Sequence, residues 1–253
     1  MSRRGIIGLV LLGLVSFLVF VVARMPAAIA VPLVEQQANI ELHEPSGTIW
    51  NGRISGVQLP DLRIGPVEWQ LSALGLLRAR GDLDVQAEID SGQAHGNLRI
   101  DRHGNVRIQD AQGQIPLHLV RPFLLMDVQD LSGDGAFDLE YLELRELRPW
   151  SAEGELRVLD LRLQVQQQTF DFGNFSAQLT GSEGDLDLNF QDAGGDGPWE
   201  LTGSADINPD YQYRVEGRVR AREDAPRHMQ VPLQYLGSED EEGFRGFSFG
   251  GSL

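Results

Sequence analysis

Carboxylates dominate the chemistry open to this sequence. It holds 37 aspartates and glutamates, five histidines and no cysteine. Many acids stand two apart, such as Asp82 with Asp84 and Asp138 with Glu140. On a strand, such i, i+2 pairs share one face. A glycosidase would need two carboxylates across a cleft, one with a raised pKa. Nothing around these pairs predicts either condition, and a solvated strand face accounts for them. The histidines are His43, His95, His103, His118 and His228. No two of them stand at metal-ligand spacing on a predicted helix. His95 and His103 fall on neighbouring predicted strands, where they could approach each other. The run Asp192-Ala193-Gly194-Gly195-Asp196-Gly197 is similar to one calcium-binding nonapeptide repeat. That architecture stacks tandem copies, so a single imperfect copy reads as a solvated turn.

Serine nucleophile elbows, Walker loops and paired-histidine zinc motifs are absent. Without cysteine there is no thiolate chemistry and no disulfide framework. No catalytic, cofactor-binding or metal-ligating residue is assigned, and the chain is expected not to be an enzyme. The formal net charge is -16, and every basic side chain is arginine. Three of these, Arg3, Arg4 and Arg24, flank the apolar N-terminus, so the remainder is more acidic still. Such a surface repels polyphosphate, which argues against a nucleic-acid partner. The acidic run Ser238-Glu239-Asp240-Glu241-Glu242 is expected to form a loop before the last strand.

Gly5 to Ala23 reads GIIGLVLLGLVSFLVFVVA, without a charge. A helix of that length spans the roughly 30 Å hydrocarbon core of a bilayer. Arg3 and Arg4 precede it, which places the N-terminus in the cytoplasm by the positive-inside rule. The competing reading is a cleaved signal peptide ending at Ala28-Ile29-Ala30. The apolar run exceeds the usual core of about 7–15 residues, and Arg24 intervenes before that site. The expected order is a cytoplasmic N-terminus (1–4), an inner-membrane transmembrane helix (5–23), a connector (24–45) and a periplasmic β-rich domain (46–253).

Those elements must carry whatever the chain does, and from Ser46 they read as strands. Leu83, Val85, Ala87 and Ile89 alternate with Asp82, Asp84, Gln86, Glu88 and Asp90. Alternation resumes through Leu98 and Ile100, and again at Val106 and Ile108, with Gly104-Asn105 as a hairpin turn. Phe137, Leu139 and Tyr141 alternate with Asp138 and Glu140; Leu156, Val158, Leu161, Leu163 and Val165 follow. Period two between turn residues is the signature of antiparallel strands with one wet face. Leu71 to Leu77 and Leu117 to Met126 are the candidate short helices. The expected fold is mainly β: a large, curved, mostly antiparallel sheet forming a groove, a sandwich or a partly closed barrel.

Two landmarks carry a family resemblance. One is Gly47-Thr48-Ile49-Trp50-Asn51-Gly52, followed by Gly65-Pro66-Val67-Glu68-Trp69. The other is the C-terminus, from Val231-Pro232-Leu233-Gln234-Tyr235-Leu236-Gly237 to Phe249-Gly250-Gly251-Ser252-Leu253. With the anchor and the length, they resemble protein N of the type II secretion system. The resemblance implies a non-catalytic, single-pass inner-membrane subunit in the export of folded proteins across the outer membrane. It implies partners among the other secretion subunits, with the inner-membrane protein that bridges to the outer-membrane secretin as a candidate. Val67 to Arg80 also resembles AsmA-like envelope proteins, which implies an alternative: a β-groove that binds or transfers lipid. The Gly47–Gly52 run is expected to be a strand flanked by turns, with Trp50 a large buried anchor and positive φ open to both glycines. Trp50, Trp69 and Phe249 are the candidate interaction residues. Sequence alternation is the same in a filled core and in an open groove, so the fate of the apolar face is left to the structure.

Overall fold

The structure is a computed structural model. It describes residues 20–29, 31–32, 35, 41–58, 63–77, 80–119, 130–146, 148–165, 168–195, 197–210 and 212–252.

Sixteen strands run through the described residues. In chain order they are β1 (Glu41–His43), β2 (Ser46–Gly47), β3 (Asn51–Ile54), β4 (Gly56–Gln58), β5 (Arg63–Ile64), β6 (Val67–Leu71), β7 (Gly81–Ile89) and β8 (Gly92–Ile100). There follow β9 (Val106–Pro116), β10 (Asp130–Arg145), β11 (Arg148–Val165), β12 (Gln168–Ser182), β13 (Asp185–Asp192), β14 (Trp199–Ile207), β15 (Gln212–Ala221) and β16 (Arg245–Ser252). The short helices are α1 (Ala73–Leu77) and α2 (Arg227–Gln230), the latter continued by a 3-10 segment over Val231–Tyr235. β1, β4 and β5 form a small sheet. The other thirteen strands form one sheet in the order β16 to β6, then β3 and β2. Every neighbouring pair in it is antiparallel. The sheet does not close: β2 and β16 are its two edges.

The register gathers the apolar residues on one face. Leu83, Val85 and Ala87 stand opposite Leu98, Gly96 and Ala94. Leu156 and Val158 stand opposite Ala177 and Phe175, and Leu188 and Phe190 opposite Ala205 and Gly203. The other face is wet and carries exposed ion pairs such as Arg53–Glu68, Arg162–Asp171 and Arg218–Glu242.

Bulges keep that sorting intact where the alternation slips. The spacing of three from Val158 to Leu161 is absorbed by a register shift, with Asp160 at φ +51°. A second shift lies between Leu139 and Tyr141. It corrects one expectation: Tyr141 does not continue the apolar row of Phe137 and Leu139. The shift turns it to the wet face, opposite Gln109 and under the Arg107 guanidinium, while Leu142 takes its place opposite Ile108.

No second layer covers most of the apolar face among the described residues. Among the described residues, the strands outside the large sheet are the three short ones of the β1–β4–β5 sheet, and few apolar side chains are fully buried. Of the architectures expected, the sheet is thus neither a sandwich nor a closed barrel. Local cover is clearest at two places. Near the ends of β14 and β15, α2 and its 3-10 extension bury Met229 to 1% exposure, with Val219 and Leu233 beside it; Trp199 Nε1 donates to the Met229 carbonyl at 2.8 Å. At β10 and β11, Leu117 and Leu131 bury against Val158, Leu161 and Leu163.

The expected helix at Leu71–Leu77 appears as α1 after β6 has taken Leu71. The candidate over Leu117–Met126 begins with a 3-10 turn at 117–119, and its remainder lies outside the described residues. The expected transmembrane helix lies outside them apart from 20–23, which are helical. Among the described residues, no helix is long and apolar enough to cross a membrane.

Candidate interaction surfaces

The Gly47–Gly52 run is a hairpin tip between β2 and β3, which reverses the expectation of a strand flanked by turns. Thr48 accounts for the turn: its N–H donates to the Asn51 carbonyl at 2.8 Å, and its hydroxyl accepts the Asn51 N–H at 3.1 Å. Of the two glycines only Gly47 takes a positive φ, +79°. Gly52 is a β3 residue directly opposite Trp69, and it is glycine for another reason: a Cβ there would collide with the Trp69 ring.

This tip fastens the end of the helical segment to the sheet. Trp50 is half-buried rather than a buried anchor, and its Nε1 donates to the Val22 carbonyl at 2.8 Å. The last carbonyls of a helix are left short of partners; this one also accepts the Met25 N–H at 3.3 Å, and the indole is its second donor. Ile49 N–H donates to the Met25 carbonyl at 3.0 Å, Pro26 bridges Thr48, and Ala27 is 1% exposed. Trp69 Nε1 donates to the Ile49 carbonyl at 3.1 Å from the sheet side. Trp50 and Trp69 therefore act on one tip from opposite ends.

The third candidate, Phe249, lies at the far edge. It is 56% exposed on β16 and stacks on Phe247, ring centroids 6.3 Å apart and planes at 24°. The structure does not bring it near the two tryptophans, since it stands at the opposite end of the strand order.

Two features escape a reading by composition. One is the uncovered apolar face itself. The other is the pairing of glycines with large residues directly across the ladder: Gly113 with Phe137, Gly203 with Phe190, Gly217 with Phe247 and Gly154 with Leu139. Each glycine yields the space above it to its partner's side chain. The signal was present as glycine at positions where the period of two calls for an apolar residue.

A cleft of about 460 Å³ opens at one rim, lined by Arg145, Pro149, Trp150, Leu186, Ile207 and Pro209 among others. Arg145 lies over the Trp150 ring, 4.3 Å from its centroid. Beside it sits Glu143. Burial opposes its ionisation, but hydrogen bonds from Arg145 and Arg107 outweigh that and hold its carboxyl below the usual value. In the β8–β9 turn, Asp101 is likewise held low, first by the Asn105 side-chain amide. On the wet face Asp171 raises the pKa of Arg162. Among the described residues no group of three or more acids or histidines could hold a metal ion. Asp192, from the calcium-like run, pairs with Arg222 and accepts the Leu201 N–H at 2.9 Å, which makes it a structural carboxylate.

The chain is 22% identical to type II secretion system protein N of Aeromonas hydrophila over 91% of its own length and 92% of that protein. It is 24% identical to the protein of the same name from Pectobacterium carotovorum subsp. carotovorum, over 91% and 89%. No solved structure matches it. The family model for type II secretion system protein N matches residues 38–248, which takes in the hairpin tip, both sheets and the edge strand up to Ser248, and the chain belongs to that family.

Proposed function

We propose that this protein is a non-catalytic, single-pass inner-membrane subunit of the type II secretion system, with residues 1–4 in the cytoplasm and its sheet in the periplasm. The secretion role follows the family and the relatives named for it. The topology is supported by the uncharged run from Gly5 to Ala23 behind Arg3 and Arg4. The hairpin tip supports it too: Trp50 and Ile49 hold the end of that helix against the sheet, so an anchor would fix the sheet's orientation.

The observation that carries a structural rather than enzymatic role is the uncovered apolar face. Its residues, Leu188 and Phe190 among them, are only half-buried, and contiguous apolar surface left open in this way marks an interaction site. The subunit's work is then to present a surface to other subunits, the one that bridges to the secretin being a candidate. The lipid-transferring alternative finds no support among the relatives.

Deleting the gene and placing a photoreactive residue at Leu188, in the middle of the face, tests the reading. Secretion is expected to stop, and the probe is expected to capture secretion subunits in the native envelope. Intact secretion with only lipid captured would overturn the reading in favour of a lipid groove.

A further inference from the structure

The two edges of the large sheet are finished differently. β2 is two residues long, and the chain's own N-terminal segment covers its end, with Pro26 bridging Thr48 and Ile49 bonded to Met25. β16 is eight residues long and has no strand beyond it among the described residues. Natural edges are usually blunted by charge, proline or brevity. From Gly246 to Ser252 this edge has none of these, reading Gly-Phe-Ser-Phe-Gly-Gly-Ser. Only its start is guarded: Glu239 forms an antiparallel bridge and an ion pair with Arg245, Arg245 donates to the Gly237 carbonyl at 3.0 Å, and Gly237 lies against the Gly246 carbonyl, which leaves Phe247 to Ser252 open.

Strands add to such an edge through backbone hydrogen bonds, with alternate side chains supplying specificity. The side chains on offer are Phe247 and Phe249, stacked on the apolar face, against small residues on the wet face. Charge argues against a second copy as the occupant. Each chain carries -16, and the acidic run from Glu239 to Glu242 lies at the start of this strand. Two of its acids are answered by Arg245 and Arg218, while Asp240 accepts backbone N–H groups from Glu242 and Phe244.

We propose that β16 is a docking edge for an extended strand of a different, less acidic polypeptide of the secretion apparatus. That strand extends the sheet, sets apolar side chains beside Phe247 and Phe249, and carries a basic residue where it meets Glu241, the acid of the run outside those contacts. The proposal rests on the secretion reading above, and its test separates the two.

The test uses the full-length protein in its native envelope, with a photoreactive residue replacing the exposed Ser248. The expected result is an adduct with a second polypeptide of the apparatus. That adduct is lost in Phe249→Asp and in Gly246→Lys, the latter having room because a Cβ there meets nothing nearer than the Gly217 carbonyl at 4.0 Å. Both variants are checked for an unchanged melting temperature, and a mutant that unfolds is set aside in favour of the other. An adduct of twice the chain's own mass overturns the proposal, as does an adduct that both folded variants retain. No adduct at Ser248, with Leu188 still capturing secretion subunits, overturns the docking edge and leaves the secretion reading standing. Secretion that survives deletion of the gene removes the secretion reading instead.

Discussion

The indole of Trp69 occupies the space that a side chain on Gly52 would need, and the two residues stand directly opposite on β6 and β3. The hairpin tip and the sheet interior are thereby locked at one point, because the same indole donates to Ile49 within the tip. Gly52→Ala is expected to destabilise the sheet by about 1–3 kcal/mol through overpacking. In a Trp69→Ala background the same change should cost far less, since the obstruction is gone. A double-mutant cycle in urea measures the coupling, and additive effects would refute the lock.

The same logic separates two other glycines. A Cβ on Gly203 would stand 2.6 Å from Phe190 Cζ and 2.5 Å from the Glu216 carbonyl oxygen, whereas one on Gly246 meets nothing closer than 4.0 Å. Gly203→Ala should lower the urea midpoint by an amount equivalent to about 1–3 kcal/mol. Gly246→Ala should leave it within about 0.5 kcal/mol of the parent.

Trp50→Phe keeps an aromatic ring and removes the donor to the Val22 carbonyl. Loss of one such bond is worth about 1 kcal/mol, and the segment it holds carries Arg24. Trypsin should cut after Arg24 roughly fivefold faster in the variant, as that free energy implies for cleavage through local opening. Unchanged cleavage would show that the tip does not hold the helix end.

Glu143 gives the sheet a dependence on pH. Its folded-state pKa is depressed by Arg107 and Arg145, so its contribution is fully present above the unfolded carboxyl value. That contribution is lost as pH falls through the lower, folded value. Both arginines are about half exposed, which keeps the effect near 1 kcal/mol. Glu143→Gln should cost about that much at pH 7, and the difference from the parent should shrink as the pH is lowered below 4. A constant difference across that range would rule out the ion pairs as its source.

Much of this was legible because a half-wet strand writes its own pattern. Leu83, Val85 and Ala87 alternate with acids, and the structure places them on one face opposite Leu98, Gly96 and Ala94. Tyr141 was misassigned because a bulge moves the parity by one residue, and nothing in the alternation of acids and apolar residues before it announces the shift. The Gly47–Gly52 run was read inside out because β-propensity favours Thr48, Ile49 and Trp50 in a strand. The turn forms there because Thr48 bonds Asn51 across it, and Met25 supplies a partner from 24 residues upstream that no local rule contains. Trp50 and Trp69 were singled out together, but the atoms that unite them belong to Val22 and Ile49, whose backbone carbonyls leave no trace in a sequence.

From β7 to β15 each strand bonds only to the one before it and the one after it. Such a ribbon has no centre. Its stability is close to a sum over adjoining pairs, and a hairpin could be gained or lost without rebuilding a shared core. Thirteen strands at about 4.8 Å reach roughly 60 Å along the hydrogen-bond direction, and each added hairpin extends that by about 10 Å. Reach is thus a quantity that evolution could tune in this molecule by repetition alone, as a ruler is lengthened by further divisions.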